Sequence, residues 1–236
     1  MLPKNDHIQF TFVTLFKELI EPYFAHSIMA NAIETKKLEI DFLNPRDFTD
    51  SKHLKVDDTP TGGGAGMVMS PQPLCDTLKN LHKNSHIIFV TPSAKPFRQN
   101  DAKRLAQKKH IAIVSGRYEG IDERVIEQYA DEVFSIGDYI LTGGELASLV
   151  ICDSVVRNIA GVLGNSESLD IESFEEDMLE APSYTKPSIF HNLSVTSEYI
   201  KGNHSRIVSL KKRLSLYKTK YFRPDLYKKA IAKKEK

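Results

Sequence analysis

The chain has 236 residues, which suits one large domain or one domain with a smaller one attached. Its hydrophobic content of 41% and charged content of 27% are typical of a soluble globular protein. No apolar run reaches the roughly 18–20 residues that span a bilayer, and the first residues lack the pattern of a secretory signal. We therefore expect a cytoplasmic protein with no membrane partner.

The net charge of +1 hides a strong asymmetry along the chain. Residues 201–236 hold 13 Lys and Arg against 2 Asp and Glu, a net of +11, whereas residues 165–200 hold 1 against 8, a net of −7. A concentrated basic end is typical of a protein that binds a polyanion such as nucleic acid. The alternative is a solvated helix face followed by a lysine-rich tail.

Strand-like and helix-like patterns alternate over the first two thirds of the chain. Short buried strands are predicted at residues 9–15, 38–43, 86–90, 111–115 and 132–136. Helices are predicted at residues 19–36, 71–82, 99–108, 122–129 and 145–156. This alternation predicts an α/β domain over residues 1–164, with a mostly parallel sheet and helices on both faces.

The character of the sequence changes after Gly164. Residues 165–176 are acidic and aperiodic, so we interpret them as a linker. Residues 177–236 are predicted to form a small, basic, all-helical domain. One helix would start near His204 with Asn203 as its N-cap, and another would start at Pro224.

Cysteine and histidine positions give no sign of a tightly held metal. Cys75 and Cys152 form no CxxC pair, and both lie in apolar helix-like stretches, so we expect them to pack in the core. The histidines show no metal-ligand spacing. A Mg²⁺ held loosely by carboxylates and substrate oxygens stays open as an alternative.

Three glycine-bearing polar segments stand out, at residues 57–67, 115–124 and 135–145. The last two each lie between a predicted strand and a predicted helix. Such segments predict one binding site built at several strand ends of an open α/β sheet. The glycines of residues 62–66 match neither a P-loop nor a dinucleotide fingerprint. They therefore predict a lid or substrate loop, with a mobile surface loop as the alternative.

Taken together, these motifs resemble the TrmD-type tRNA (guanine-N1)-methyltransferases of bacteria, within the SPOUT superfamily. The resemblance runs over residues 8–226, and its motifs are residues 44–48, 56–58, 62–67, 116–124, 135–146, 161–164 and 202–204. It implies a C-terminal trefoil knot in the α/β domain that binds S-adenosylmethionine. It also implies a homodimer with its two active sites at the interface.

The resemblance implies a cofactor cradle of three knot loops. The expected cofactor contacts are Phe89, Val90, Thr91, Pro92, Ser115, Gly116, Glu119, Gly120, Ile136, Gly137, Asp138, Tyr139, Ile140, Leu141, Gly143 and Gly144. Backbone groups on such glycine-rich turns can approach a ligand closely.

The implied reaction transfers a methyl group to guanine N1, which carries a proton at neutral pH. It therefore needs a carboxylate base and a positive group near O6. By resemblance Arg157 is that cation, the alternative being an ion pair that closes a helix. The family's aspartate before Ser-Phe is replaced here by Glu172, our first candidate for the base. Asp170 is the second candidate, and in a third alternative both residues only cap a helix.

A further carboxylate, Glu119, is expected to help place Mg²⁺ or to form a buried ion pair with Arg117 or Arg124. The implied substrate is guanosine 37 of tRNAs that carry guanosine at position 36, and the implied purpose is reading-frame maintenance. Expected RNA contacts are Asp57, Gly62, Gly63, Gly64, Ser168 and His204. Two other functions stay open: an RNA-binding protein with weak catalysis, and a SPOUT methyltransferase for another RNA.

Overall fold

The computed structural model describes residues 5–164, 172–174 and 177–234. The chain divides into two compact units, Met1–Gly164 and Asn165–Lys236. The first unit holds the main sheet, and the second holds helices and a short hairpin.

The core of the first unit is a five-stranded sheet in which every neighbouring pair is parallel. Numbering all strands of the unit in chain order, they are β1 (Ile8–Val13), β2 (Leu38–Leu43), β3 (Asp57–Asp58), β4 (Val68–Met69), β5 (His86–Pro96), β6 (His110–Ser115) and β7 (Glu132–Ser135). The order across the main sheet is β2-β1-β6-β5-β7. All six residues of the central strand β6 are buried, as expected for a parallel strand covered on both faces.

Helices cover both faces of this sheet. They are α1 (Ser27–Glu34), α2 (Pro71–Lys79), α3 (Gln99–Leu105), α4 (Glu123–Tyr129) and α5 (Glu145–Val156). Buried side chains of α1, α3 and α5 join one hydrophobic cluster, and those of α2 and α4 join another. Cys152 lies in the first cluster and Cys75 packs against the second. The predicted α/β fold and the packing of both cysteines are therefore confirmed.

The predicted helix over residues 19–36 is wrong in its first half. Two 3₁₀ turns, Lys17–Leu19 and Glu21–Ala25, precede α1, which begins only at Ser27. Ser27 has a φ of 58°, in the left-handed region, and His26 before it is extended. A continuous α-helix cannot pass through such backbone angles, and apolar periodicity does not register this local break.

Strand β5 is longer than predicted, and its pairing with β7 is irregular. The register shifts between Val90 and Lys95, after which Lys95 pairs with Phe134. Residues 91–94 therefore do not pair with β7, and pairing resumes at Lys95. Their sequence, with its proline, is typical of a loop, which is why the prediction ended the strand at Val90.

The second unit contains a hairpin of β8 (Ile189–Phe190) and β9 (Leu193–Ser194), so the expectation of an all-helical unit is wrong. His191 and Asn192 form its two-residue turn with positive φ values of 47° and 65°. Helices α6 (Ser197–Ile200), α7 (His204–Phe222) and α8 (Pro224–Lys234) follow.

Helix α7 begins as the sequence predicts, because the Asn203 side chain accepts a hydrogen bond from the backbone N–H of Arg206 at 3.2 Å. On its packed side, Thr219 accepts a hydrogen bond from the backbone N–H of Leu179 at 2.9 Å. Ser215 donates to the carbonyl oxygen of Leu179 at 2.5 Å. Over the described part of the chain, no helix is both long and apolar enough to cross a membrane.

Candidate active site

A cavity of about 650 Å³ lies at the carboxyl ends of β6 and β7, beside the irregular part of β5. Its walls are residues 91–95 within β5 and the segments that follow β6 and β7, residues 116–121 and 136–144. Ligands of open α/β sheets bind at this edge, and the volume falls in the usual range for small-molecule sites. The predicted convergence of glycine-bearing segments is therefore seen for the second and third of them.

Most of the predicted cofactor residues line this cavity. They are Phe89, Val90, Thr91, Pro92, Gly116, Glu119, Gly120, Ile136, Gly137, Tyr139, Ile140, Leu141, Gly143 and Gly144. Ser115 and Asp138 do not line it. Ser115 is fully buried, and its hydroxyl lies 2.8 Å from the hydroxyl of Ser148 on α5. Ser115 therefore links the end of β6 to α5.

The prediction missed several lining residues, namely Ser93, Ala94, Lys95, Arg117, Tyr118, Ile121, Glu123, Ile126, Val133, Phe134, Ser135 and Ala147. The sequence did hold signals that could have identified five of these residues. Residues 93–95 directly follow the predicted loop at Thr91-Pro92, and Arg117 and Tyr118 lie inside the second motif. The apolar floor could not be separated from ordinary core residues by sequence.

Gly144 brings the second and third segments into direct contact. Its backbone N–H donates to the carbonyl oxygen of Gly116 at 2.8 Å. A Cβ atom at Gly144 would lie 2.8 Å from both Ser115 Cα and the Gly116 nitrogen, and 2.9 Å from Val90 Cγ2. The φ of Gly144 is −80°, which any residue can adopt. Glycine is therefore needed here for the close approach of backbones and not for its backbone freedom.

A buried ion pair ties the same two segments together. Arg117 Nε lies 3.0 Å and 2.9 Å from the two carboxylate oxygens of Glu145, which is only 2% exposed. Thr14 donates to the same carboxylate at 2.9 Å, and Arg117 Nη1 donates to the carbonyl oxygen of Thr142 at 3.2 Å. The guanidinium also lies over the ring of Phe16, 4.6 Å from its centroid.

One alternative for Glu119, a buried ion pair with Arg117 or Arg124, is wrong. Arg117 pairs with Glu145, and Arg124 pairs with Asp122 at 2.7 Å. Within the described residues, Glu119 has no ion pair with either arginine. Its side chain lies instead against Gly66, leaving no room for a Cβ atom there.

Backbone hydrogen bonds fix one end of the glycine-rich segment to the cavity wall. Glu119 N–H donates to the Met67 carbonyl oxygen at 2.9 Å, and Met69 N–H donates to the Gly120 carbonyl oxygen at 2.9 Å. The segment connects β3 to β4, where Asp57 pairs with Met69. Its exposed glycines 62, 63 and 64 have φ values of 99°, 83° and 124°, which favour glycine.

Arg157 lies at the C-terminal end of α5 and lines a second cavity of about 460 Å³ with Tyr23 and Asp153. Tyr23 donates a hydrogen bond to Asp153 Oδ2 at 2.5 Å. This hydrogen bond, with burial, raises the pKa of Tyr23 to about 12. Asp153, one helical turn before Arg157, is therefore held in a defined position.

The remaining predicted residues belong to the second unit. Glu172 is half-buried and precedes Ser173, whose hydroxyl accepts from the Glu180 N–H at 3.2 Å. Asp170 and Ser168 lie outside the described residues. His204 is exposed in the first turn of α7. Across the described ranges, no three His, Cys, Asp or Glu side chains are grouped so that they could hold a metal ion.

The parallel sheet and the cavity at its carboxyl edge define an open α/β protein with a ligand-sized cavity where such proteins bind their ligands. Comparison with protein families then narrows the class. Residues 8–229 match the family described as tRNA (Guanine-1)-methyltransferase TrmD, and the chain belongs to that family.

Individual relatives agree with this assignment over nearly the whole chain. A protein of Sulfurimonas denitrificans named tRNA (guanine-N(1)-)-methyltransferase is 66% identical over 221 residues, covering 92% of this chain and 96% of the relative. One of the same name from a Sulfurovum species is 63% identical, covering 95% and 100%. One from Campylobacter curvus is 59% identical, covering 94% and 95%.

Proposed function

We propose that this chain transfers a methyl group from S-adenosylmethionine to N1 of guanosine 37 in tRNAs with guanosine at position 36, and thereby maintains the reading frame. Family membership makes the chain a methyltransferase. The observation that carries the proposal is the cavity at the strand ends, because two of its three walls, residues 116–121 and 136–144, lie in segments that carry family motifs.

The lining of this cavity fits the proposed cofactor. It combines apolar walls, including Val90, Ile136 and Leu141, with backbone groups at Gly116 and Gly137. Such a mixture suits a ligand with one flat aromatic part and one polar, amino-acid-like part. When bound, S-adenosylmethionine supplies a methyl group activated by its sulfonium. We propose that the loops of the cavity form the trefoil knot of the SPOUT superfamily.

The catalytic proposal assigns proton removal and charge stabilisation to different residues. Glu172 takes the proton from guanine N1, and Asp170 is the second candidate for this role. A carboxylate is a weak base for this proton. Arg157 therefore stabilises the negative charge that grows on O6 as the proton leaves. Glu119, in the cavity wall, is our candidate for sharing a loosely held Mg²⁺ with substrate oxygens.

We assign tRNA binding mainly to the basic C-terminal part. Residues 1–164 form the methyltransferase domain, residues 165–176 the linker with the base, and residues 177–236 the tRNA-binding domain. Helix α7 holds six Lys and Arg residues and no Asp or Glu, which suits contacts to phosphates. Further proposed RNA contacts are Asp57, Gly62, Gly63, Gly64, Ser168 and His204. The target base must leave its stack to be methylated.

We further propose a homodimer with its active sites at the interface. Leu146 and Val150 lie one turn apart on α5 and are 57% and 46% exposed. Tyr23, which donates to Asp153 near the other end of that helix, is also exposed, and so is Ile28, which lines the same cavity as Tyr23 and Asp153. A group of exposed apolar side chains of this kind favours a protein interface.

Methyl transfer to matched tRNA transcripts tests the function. One transcript carries guanosine at positions 36 and 37, a second carries adenosine at 37, and a third carries adenosine at 36. Labelled methyl groups should enter only the first. Label in the second would disprove the target base, and label in the third would disprove the requirement at position 36. No label in any, with cofactor binding intact by calorimetry, would favour a binding role or another RNA.

A further inference from the structure

Two exposed tyrosines lie in a row of basic residues on one side of α7. Tyr217 and Tyr221 are one helical turn apart, and they are 62% and 80% exposed. Arg213 lies one turn before Tyr217, and Lys220 lies between the two tyrosines in sequence. Residues spaced by four share one helix face, so Arg213, Tyr217 and Tyr221 form a continuous stripe.

This stripe lies on the side of the helix that faces away from the packed core. Ser215 and Thr219 make the hydrogen bonds to Leu179, and Thr219 is fully buried. At 3.6 residues per turn, positions 215 and 219 lie nearly opposite position 217. The tyrosines are therefore not the exposed margin of a core cluster. Tyr221 makes an edge contact with the ring of Phe222, at 4.8 Å between centroids, but both rings stay exposed. The exposure of the tyrosines therefore needs another reason.

Charge indicates what kind of ligand this face would take. Helix α7 carries six basic and no acidic residues. Within the described ranges, neither Arg206 nor Arg213 lies within ion-pairing distance of a carboxylate. A second copy of the chain would bring two such helices together at a cost in repulsion. A polyanion with exposed planar rings would satisfy both the arginines and the tyrosines.

We propose that Tyr217 and Tyr221 form a stacking platform for unpaired bases of the tRNA substrate, with Arg213 and Lys220 holding the adjoining phosphates. The inference rests on the proposed function in one respect, namely that tRNA is the ligand. It goes further by assigning base contacts to a helix whose charge alone would explain only phosphate binding. Aromatic stacking of this kind tolerates any base, so the platform adds affinity without reading sequence.

The first test compares ring removal with ring retention. The double variant Tyr217→Leu/Tyr221→Leu should bind tRNA at least tenfold more weakly, whereas Tyr217→Phe/Tyr221→Phe should bind within about threefold of the parent. Phe190→Leu is the matched control, because it removes an exposed ring of the β8–β9 hairpin and leaves α7 unchanged. Equal weakening by Phe190→Leu, or no weakening by the double Leu variant, would overturn the platform.

Salt dependence separates stacking from charge. The double Leu variant should keep the slope of log affinity against log salt, since it removes no charge. Arg213→Gln should lower that slope by about one phosphate contact. A changed slope in the Leu variant would contradict stacking. A shift in its sedimentation, with tRNA affinity retained, would assign the face to self-association instead.

A fluorescence readout observes the contact directly. The chain has no tryptophan, so Tyr217→Trp introduces a unique indole that can still stack on a base. Its emission should be quenched on binding of tRNA, and an indole placed at Phe190 of the hairpin should respond less. Binding of tRNA without quenching at position 217 would reject the platform and leave the methyltransferase function standing. Failure of the unmodified protein to bind tRNA would instead count against the proposed function.

Discussion

Arg117 and Glu145 are 28 residues apart in the chain, yet Arg117 Nε lies 2.9 Å from a carboxylate oxygen of Glu145. The contact joins the segment after β6 to the first turn of α5, and so joins two walls of one cavity. Glu145 is buried, so water cannot take the place of Arg117 as its partner. The shape of the cavity therefore depends on this ion pair.

Replacing Glu145 with Gln should therefore loosen both walls. The change leaves the largely buried guanidinium of Arg117 without its counter-charge, and we expect the free energy of unfolding to fall by about 3 kcal/mol. Cofactor affinity, measured calorimetrically, should fall as well. Arg124→Gln is the control, since it breaks an exposed pair with Asp122 and should leave both quantities near the parent values. Unchanged stability and affinity in Glu145→Gln would contradict the structural role.

Substituting Gly144 with Ala should be severe despite the small size of a methyl group. The new Cβ meets backbone atoms of Ser115 and Gly116, which cannot turn aside as a side chain can. We expect a loss of about 3 kcal/mol in stability and of measurable cofactor binding. Gly164→Ala is the matched control, because no atom of the described residues lies within 4 Å of a Cβ there. Thermal melts of the two variants should differ clearly, and equal melts would disprove the steric argument.

Removing basicity at Glu172 should slow methyl transfer. Glu172→Gln keeps the shape of the side chain but cannot accept a proton, so the single-turnover rate should fall at least 100-fold. Asp170→Asn serves as the comparison. If it causes the larger loss while Glu172→Gln is near normal, the base is Asp170. If neither variant is slowed, both residues are excluded as the base.

Glu132 should make part of the fold sensitive to acid. Burial alone would raise the pKa of this carboxyl, but hydrogen bonds from Arg104, His86 and Lys95 outweigh it and lower the pKa to about 2. The ordinary value is 4.5, so the stabilisation is present above that pH and disappears as the pH falls through 2.

Unfolding curves between pH 2 and pH 6 check this prediction. Glu132→Gln should cost about 2 kcal/mol at neutral pH, a value that allows for partial solvent screening. The difference between parent and variant should shrink as the pH falls from 4.5 to 2. A difference that stays constant across this range would show that proton linkage at Glu132 is absent.

Leu146→Glu should dissociate the proposed homodimer. A charge placed on an apolar interface loses its hydration when the interface closes, so the variant should sediment as a monomer. Leu54→Glu is the control, because Leu54 is also an exposed apolar residue of the first unit, outside α5. A parent protein that sediments as a monomer, or a Leu146→Glu variant that stays dimeric, would remove this face as the interface.

Much of the architecture could be predicted because it is encoded locally. Alternating apolar runs predicted the five parallel strands, and the Asn203 cap and Pro224 predicted where two helices begin. Each of these features depends on residues only a few positions apart in the chain. The glycine-bearing loops can likewise be recognised from a short stretch of sequence. The failed segments, residues 19–36, 91–96 and 189–194, are those in which backbone angles or strand pairing decide the structure and hydrophobicity does not.

In the candidate site, too, some features could be predicted from the sequence and others depend on the tertiary structure. The sequence alone determined which three segments carry glycines and polar groups, since chain flexibility and hydrogen-bonding capacity belong to the residues themselves. Tertiary structure decided that Ser115 faces the core, that Glu119 lies against Gly66, and that Arg117 pairs with Glu145. The physical reason is that a buried charge or hydroxyl takes whichever partner the fold brings within about 3 Å, and here Thr14 reaches Glu145 from 131 residues away.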